Sequence, residues 1–339
     1  MPGLLLDTLR GLKREKAPMW LMRQAGRYLP EYRALRAEKG GFLELVYDSQ
    51  AAAEVTIQPL RRFAFDGAIL FSDILIVPHA MGQHLEFLAG EGPKLSPRLL
   101  DSSLEAFSAQ LDRFDPIYQT VRLCREQLDD NVTMLGFAGS PWTVATYMVA
   151  GEGSRDQHET RALAYRDPAQ FQAIIDAIEQ VSITYLRGQI DAGAEAVQLF
   201  DSWAGSLAPD EFERWVIGPN ARITAALKQS HPDTPVIGFP KGAGAKLIAY
   251  AKETGVDALG LDETVDPYWA DSVLPKGMPV QGNLDPLLLL AGGEQLSGRI
   301  DTILHAFAER PHVFNLGHGI GQFTPIEHVE QLVAQVRGG

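Results

Sequence analysis

The chain alternates between short apolar runs and stretches patterned at helical spacing. Eight runs stand out, at residues 19–22, 67–71, 133–137, 196–200, 235–239, 258–261, 279–283 and 312–316. Runs this short and this apolar suit strands buried on both faces of a parallel sheet. Helix signals lie between them. Asp167-Pro168-Ala169-Gln170 joins a capping aspartate to a first-turn proline and a glutamine placed to reach back. Phe171, Ile174, Ile175, Ile178 and Val181 then follow on one face. Thr324-Pro325-Ile326-Glu327 reads as a capping box ahead of the stripe Ile326, Val329, Leu332, Val333 and Val336. The connection from Val77 to Ile117 is long, and Ala89-Gly90-Glu91-Gly92-Pro93 within it suggests a small hairpin. Eight alternations without a linker, internal repeat or low-complexity tract predict one domain over residues 1–339. The predicted fold class is α/β, a single (β/α)8 TIM-type barrel with its cleft at the C-terminal ends of the strands. An open doubly wound sheet would share the alternation and the polar residues after each strand. The count of eight favours the barrel.

Composition narrows the function. A hydrophobic share of 45% with 22% charged residues belongs to a globular protein. The run 287–291 is far shorter than the roughly 20 residues a membrane helix needs, and Asp7, Arg10, Lys13, Arg14 and Glu15 interrupt the N-terminus. The single cysteine, Cys124, excludes an internal disulfide and a cysteine-cluster metal site. It falls in a helical pattern over 117–128 and reads as a core residue. Together these features predict a cytoplasmic protein. With 43 acids against 30 bases the chain has a formal charge of −13, which argues against nucleic acid as a partner. An anionic substrate would need positive charge gathered in one cleft.

That gathering occurs after the first run. Residues 23–36 carry Arg23, Arg27, Arg33 and Arg36 around Ala25-Gly26, against one acid, Glu31. Guanidinium forks pair with carboxylates in bidentate fashion, so a glycine framed by arginines suits a ligand with several carboxylates. Spacing alone also allows surface arginines paired with acids. Arg23-Gln24-Ala25-Gly26-Arg27-Tyr28-Leu29-Pro30-Glu31-Tyr32 resembles the signature of the uroporphyrinogen decarboxylase family, which removes four acetate carboxyls from a tetrapyrrole. Four further strings resemble the same family: Phe71-Ser72-Asp73-Ile74-Leu75, the stretch from Gly136 to Met148, Leu199 to Gly205, and Asn315 to Ile320. The resemblance spans nearly the whole chain.

In a barrel, strand ends place Arg23, Asp73, Ser202, Lys241, Asp262 and His318 on one rim, with Tyr147 deeper in its loop. Asp73 has apolar neighbours on both sides, so its charge would act over a low-dielectric path; position alone also allows a capping role. Ser202 could donate to a carboxylate or cap a helix, and lacks the glycine frame of a nucleophile elbow. His318 lies between glycines that permit close approach. His79 and His84 are read as structural or exposed. Nothing resembles a phosphate-cradling loop or a His-Glu-x-x-His zinc motif. Carried over residue by residue, the resemblance implies that Arg23, Gln24, Ala25, Gly26, Arg27, Tyr147, Ser202 and His318 surround the substrate. It implies that Asp73 holds the pyrrole N–H groups as the catalytic residue, that neither cofactor nor metal takes part, and that the chain is a homodimer acting on uroporphyrinogen III. The proton donor stays open, because arginine is a poor acid. Two other readings remain. A methyltransferase of the same superfamily would need a His-x-Cys pair and a second cysteine to hold zinc, which a lone Cys124 does not supply. A non-catalytic tetrapyrrole carrier would use the same arginines.

Overall fold

Seven of the eight apolar runs become strands of one parallel sheet in the computed structural model, which describes residues 3–88 and 92–338. In chain order the sheet contains β1 (Gly67–Ile69), β4 (Thr133–Gly139), β5 (Ala196–Asp201), β6 (Val236–Pro240), β7 (Ala258–Gly260), β8 (Val280–Gln281) and β9 (His312–Val313). Each pairs with the next, in the order β1-β4-β5-β6-β7-β8-β9. Every β4, β6 and β7 residue is buried, as strands covered on both faces require. The two remaining strands, β2 (His84–Leu88) and β3 (Gly92–Ser96), form the antiparallel hairpin expected between Val77 and Ile117. Ala89, Gly90 and Glu91 of the anticipated turn lie outside the described residues.

The first run behaves differently. Met19 makes one parallel bridge, to Phe314. Around it, Phe314 N–H donates to Pro18 O (2.8 Å), Trp20 N–H to Phe314 O (3.4 Å) and Asp66 N–H to Met19 O (2.9 Å). Residues 18–20 thus lie between the two edges of the sheet, next to β9 on one side and the start of β1 on the other. Regular pairing stops there because side-chain amides take the following donors. Leu21 N–H donates to Gln24 Oε1 (3.0 Å) and Met22 N–H to Asn315 Oδ1 (2.9 Å). The sheet therefore has seven strands of regular pairing where eight were expected.

Helices cover the strands. Asp167 caps Pro168–Asp191 as anticipated, accepting from Gln170 N–H at 2.9 Å, and Phe171, Ile174, Ile175 and Ile178 are buried. Gln189 of the same helix bonds both backbone groups of Phe137 in β4 (2.8 and 3.0 Å), fixing helix to strand. Cys124 is buried in helix Asp115–Gln127. The capping box at Thr324 does not form: the last helix is Ile326–Arg337, its cap position is Pro325, and no side chain caps it. Tyr147, expected in a loop, lies on helix Pro141–Ala150. That helix begins directly after β4 with proline at its first position and is buried nearly all round, so its sequence has no polar face to betray it.

Within the core, three side chains from distant parts of the chain form a hydrogen-bonded file. Trp20 Nε1–H donates to Gln281 Oε1 (2.9 Å), and Gln281 Nε2–H to Gln198 Oε1 (3.0 Å), all without solvent exposure. Cutting the middle member strands a buried donor at one end and an acceptor at the other, each costing about 1–3 kcal/mol. Gln281→Met is accordingly expected to lower unfolding free energy by about 2–4 kcal/mol, read from urea midpoints; an unchanged midpoint would show that the file carries no stability.

Candidate active site

All strands of the main sheet run the same way, so the segments leaving their C-terminal ends converge. Ser72 and Asp73 follow β1, helix Pro141–Ala150 with Tyr147 follows β4, and Ser202 and Trp203 follow β5. Lys241 follows β6, Asp262 and Glu263 follow β7, and His318 follows β9. Arg23 arrives from the segment bridged to β9.

Arg23 takes φ = +62°, a conformation more usual for glycine, where the chain turns out of the bridged segment. Its aliphatic stem fills the space above Gly319: a Cβ there would lie 2.3 Å from Arg23 Cδ. The glycine beside His318 is thus needed by Arg23. Gly317, on the other side, packs so closely on Glu263 that a Cβ would sit 2.1 Å from its backbone nitrogen. Neither Arg23 nor Arg27 forms a salt bridge among the described residues, and both are exposed. The other two arginines of the cluster serve the fold. Arg33 donates to the carbonyls of Arg27 (2.7 Å) and Tyr28 (3.3 Å), and Arg36 lies over the Phe42 ring. Glu31 pairs with Arg62 through both oxygens (3.1 and 3.2 Å), which leaves Arg23 and Arg27 without an acid from their own segment.

Asp73 keeps one part-exposed edge, and its Oδ1 accepts from Leu75 N–H at 2.9 Å. Removal from water raises its pKa, against the smaller lowering effects of that N–H and of Arg23. Burial likewise raises the Tyr147 phenol, which senses both Asp73 and Arg23. The buried Trp203 indole N–H lies near enough to Tyr147 to lower its pKa but makes no full hydrogen bond. The His318 imidazole is held down to about 3 by desolvation first, then by Arg23 and Lys241, with Asp262 opposing. It is therefore neutral at physiological pH, able to donate from one ring nitrogen and accept at the other. These mutual influences tie Tyr147, Asp73, Arg23, His318 and Lys241 into one cleft.

Other anticipated residues are placed differently. Gln24 is fully buried, accepting from Leu21 and donating to Gly67 O (2.9 Å), so it stitches the arginine turn to β1. Ala25 packs against the core, and Gly26 is required because a Cβ would lie 2.8 Å from Arg23 O. Arg27 follows in the same segment and is exposed. Ser202 is part-buried and makes no side-chain hydrogen bond among the described residues. Asp201, Thr143, Trp203 and Glu263 were not singled out from sequence. Their positions just past the fourth run (Asp201 and Trp203) and the sixth (Glu263), or just past the third in the case of Thr143, were the available signal. Asp201 is fully buried and accepts from Thr143 Oγ1–H (2.5 Å), while Thr143 Oγ1 accepts from Trp203 N–H (3.1 Å). This link fixes the helix of Tyr147 against the loop of Ser202. Among the described residues no group of three His, Cys, Asp or Glu side chains could hold a metal ion.

Arg23, exposed and without a salt bridge among the described residues, stands beside a desolvated carboxylate and a neutral histidine, a set suited to an anionic ligand that also carries hydrogen-bond donors. Comparisons with known proteins agree. The uroporphyrinogen decarboxylase family model matches residues 3–338. The uroporphyrinogen decarboxylase of Novosphingobium aromaticivorans is 71% identical over 338 residues, covering 100% of this chain and 99% of that protein. Its counterpart from Erythrobacter litoralis is 72% identical over 337 residues, 99% of each chain. The chain belongs to the uroporphyrinogen decarboxylase family. Among solved structures, a methyltransferase from Methanosarcina mazei superposes with TM-score 0.83 over 98% of this chain and 97% of its own, at 19% identity. A B12-independent methionine synthase from Shewanella gives 0.57 at 11% identity, over 95% and 93%. These two likenesses are of fold.

Burial raises the Asp201 pKa from 3.8 to about 7, against hydrogen bonds that lower it. Between those values the folded state binds more protons than the unfolded state. The stability Asp201 contributes is thus fully present below about pH 4, falls as pH rises, and is lost by about pH 7. Asp201→Asn carries no such dependence. Its stability relative to wild type is expected to improve from about pH 4 to pH 7 and level off above, measured as paired urea midpoints; a flat difference would show that Asp201 titrates normally.

Proposed function

We infer that this chain decarboxylates the four acetate side chains of uroporphyrinogen III to methyl groups, giving coproporphyrinogen III and four CO2. It is a carboxy-lyase of the porphyrin and haem pathway. The observation that carries this reading is the placement of Asp73, Arg23, Tyr147 and His318 in one cleft of a chain whose family match runs end to end.

Losing CO2 from an acetate leaves an electron pair that needs a sink, which many decarboxylases borrow from a cofactor. A pyrrole is its own sink, so no cofactor is required. A proton adds to the ring carbon beside the acetate-bearing carbon and makes the ring a cation. The bond to the carboxylate breaks, its electrons neutralise the ring, and CO2 departs. The exocyclic carbon then takes a proton to become methyl, and the ring proton leaves. One proton is consumed for each CO2. Asp73 is the catalytic residue: as a carboxylate it accepts the inward-pointing pyrrole N–H groups and stabilises the cation, preorganised by Leu75 N–H. Arg23 and Arg27 hold substrate carboxylates. Tyr147, Ser202 and the neutral His318 complete the contacts, and Gln24, Ala25 and Gly26 shape the turn that presents the arginines.

The architecture that suits this activity is a single (β/α)8 barrel domain over the whole chain, with residues 18–20 as the eighth staff between β9 and β1. The bridge at Met19 and one continuous core cluster support that reading. A homodimer with facing clefts and a cytoplasmic location complete it, both carried by the family. Among the described residues no helix is long and apolar enough to cross a membrane. A methyltransferase reading fails on Cys124, which is buried in the helix layer.

Anaerobic incubation with uroporphyrinogen III should yield coproporphyrinogen III without added cofactor, and Asp73→Asn should cut turnover at least about 100-fold. Tight binding without CO2 release would leave a carrier; full activity of Asp73→Asn would remove Asp73 from catalysis. Sedimentation at assay concentration should show a species of twice the 37.1 kDa chain mass, and a monomer alone would count against the dimer.

A further inference from the structure

The reaction consumes a proton at every step, and the cleft contains few groups able to supply it. Guanidinium groups are too weak as acids. His318 is neutral, with its proton affinity held down by burial and two neighbouring cations. Asp73 has to be a carboxylate to hold the pyrrole N–H groups. Asp262 is fully engaged as an acceptor: Gly242 N–H donates to its Oδ2 (2.8 Å), while Thr264 N–H (2.9 Å) and Thr264 Oγ1–H donate to its Oδ1. The Tyr147 phenol is made a weaker acid by burial.

Lys241 remains. Its backbone is fixed from both sides, its N–H donating to Asp201 O (3.0 Å) and its C=O accepting from Gly205 N–H (2.9 Å). The two loops touch so closely that a Cβ on Gly205 would lie 2.6 Å from Gly242 O. The side chain is part-buried, lies near enough to His318 to act on its charge, and is held by Glu263 Oε1 at 3.3 Å. Glu263 Oε2 is buried and has no hydrogen-bond partner among the described residues. A lysine ammonium, unlike a guanidinium, carries a proton it can surrender and recover. A carboxylate beside it keeps the ammonium aimed by accepting a hydrogen bond from one of its other N–H groups.

Resting on the function inferred above, we propose that Lys241, oriented by Glu263, is the general acid that protonates the pyrrole ring. The Lys241 ammonium gives a proton to the ring carbon beside the acetate-bearing carbon, leaving a neutral amine. CO2 leaves with the ring taking the electron pair. The exocyclic carbon takes a proton from water, and the ring carbon returns its proton to the amine. Lys241 ends as it began, and the net proton consumed comes from solvent. Glu263 is a positioning residue.

Three variants, one of them with a chemical rescue, test this. Lys241→Arg keeps the charge but removes the acid, and is expected to lower kcat about 100-fold with KM within about threefold of wild type. Lys241→Ala is expected to regain turnover when small primary amines are added, with rescue growing as the amine becomes more acidic. Glu263→Gln should lower kcat less than either, with its pH profile displaced. Lys241→Arg at near wild-type kcat would overturn the proposal and leave Lys241 as a charge that binds carboxylate. Absence of amine rescue in a folded Lys241→Ala would overturn it too, and that arm decides if Lys241→Arg does not fold. Wild-type protein that releases no CO2 from uroporphyrinogen III would instead sink the functional reading itself.

Discussion

The cleft depends on a short exchange of backbone hydrogen bonds between residues 18–20, Phe314 and Asp66. Without it, Arg23 and His318 belong to opposite ends of the chain. With it, the N-terminal segment is fixed beside β9, and the turn at Arg23 opens over the glycine that follows His318. Asp66 secures the join twice, through its own N–H to Met19 O and through its carboxylate, which accepts from Met19 N–H at 2.7 Å and pairs with Arg337 at 2.8 Å. The same join begins the buried file from Trp20 to Gln198. One junction therefore serves both the interior of the sheet and its functional rim.

Electrostatics follow from what this geometry leaves unpaired. Most cations of this acidic chain are spent on structure: Arg62 on Glu31, Arg125 on Glu195, Arg222 on Glu179, Arg310 on Asp271. Among the described residues, Arg23 and Arg27 keep their donors free. A free guanidinium near a low-dielectric wall attracts an anion more strongly than one already satisfied by a carboxylate. A strongly negative protein can thus receive a polyanion, because the local field of the cleft differs from that of the surface. Burial first, and then the same field, keep His318 neutral, so it contributes hydrogen bonds and no further charge.

Much of this was legible in the sequence, and the exceptions have physical causes. Strands β4, β6 and β7 announced themselves because burial on both faces demands largely apolar runs. Asp167 announced its helix because a cap is a local event. The first run misled because the side chains that end its pairing, Gln24 and Asn315, act from a turn and from a segment nearly 300 residues away. Helix Pro141–Ala150 was hidden because burial on every side erases the amphipathic pattern. Thr324 promised a cap that the backbone at Pro325 does not deliver; its hydroxyl is buried without a partner. Among candidate site residues, Arg23 and Asp73 could be picked from charge and neighbours. The separate duties of Arg33 and Arg36, and the buried link from Thr143 to Asp201, exist only in three dimensions.

The way Asp73 is held bears on the order of events. Leu75 pins one carboxylate oxygen, so the anchor points one way and does not turn with its ligand. What it is inferred to grasp, the inward N–H groups, is common to all four pyrroles and carries no mark of which ring is which. The rim of Arg23, His318 and Lys241, by contrast, is lopsided and fixed. A central pivot blind to ring identity, set within an asymmetric frame, distinguishes positions in space rather than rings. Three of the four acetates can then be treated alike by turning the macrocycle a quarter at a time about its own axis, and the fourth, on the reversed ring of the type III isomer, by turning it over as well. The protein would need one set of reacting groups, and the repetition of the chemistry would belong to the symmetry of the substrate.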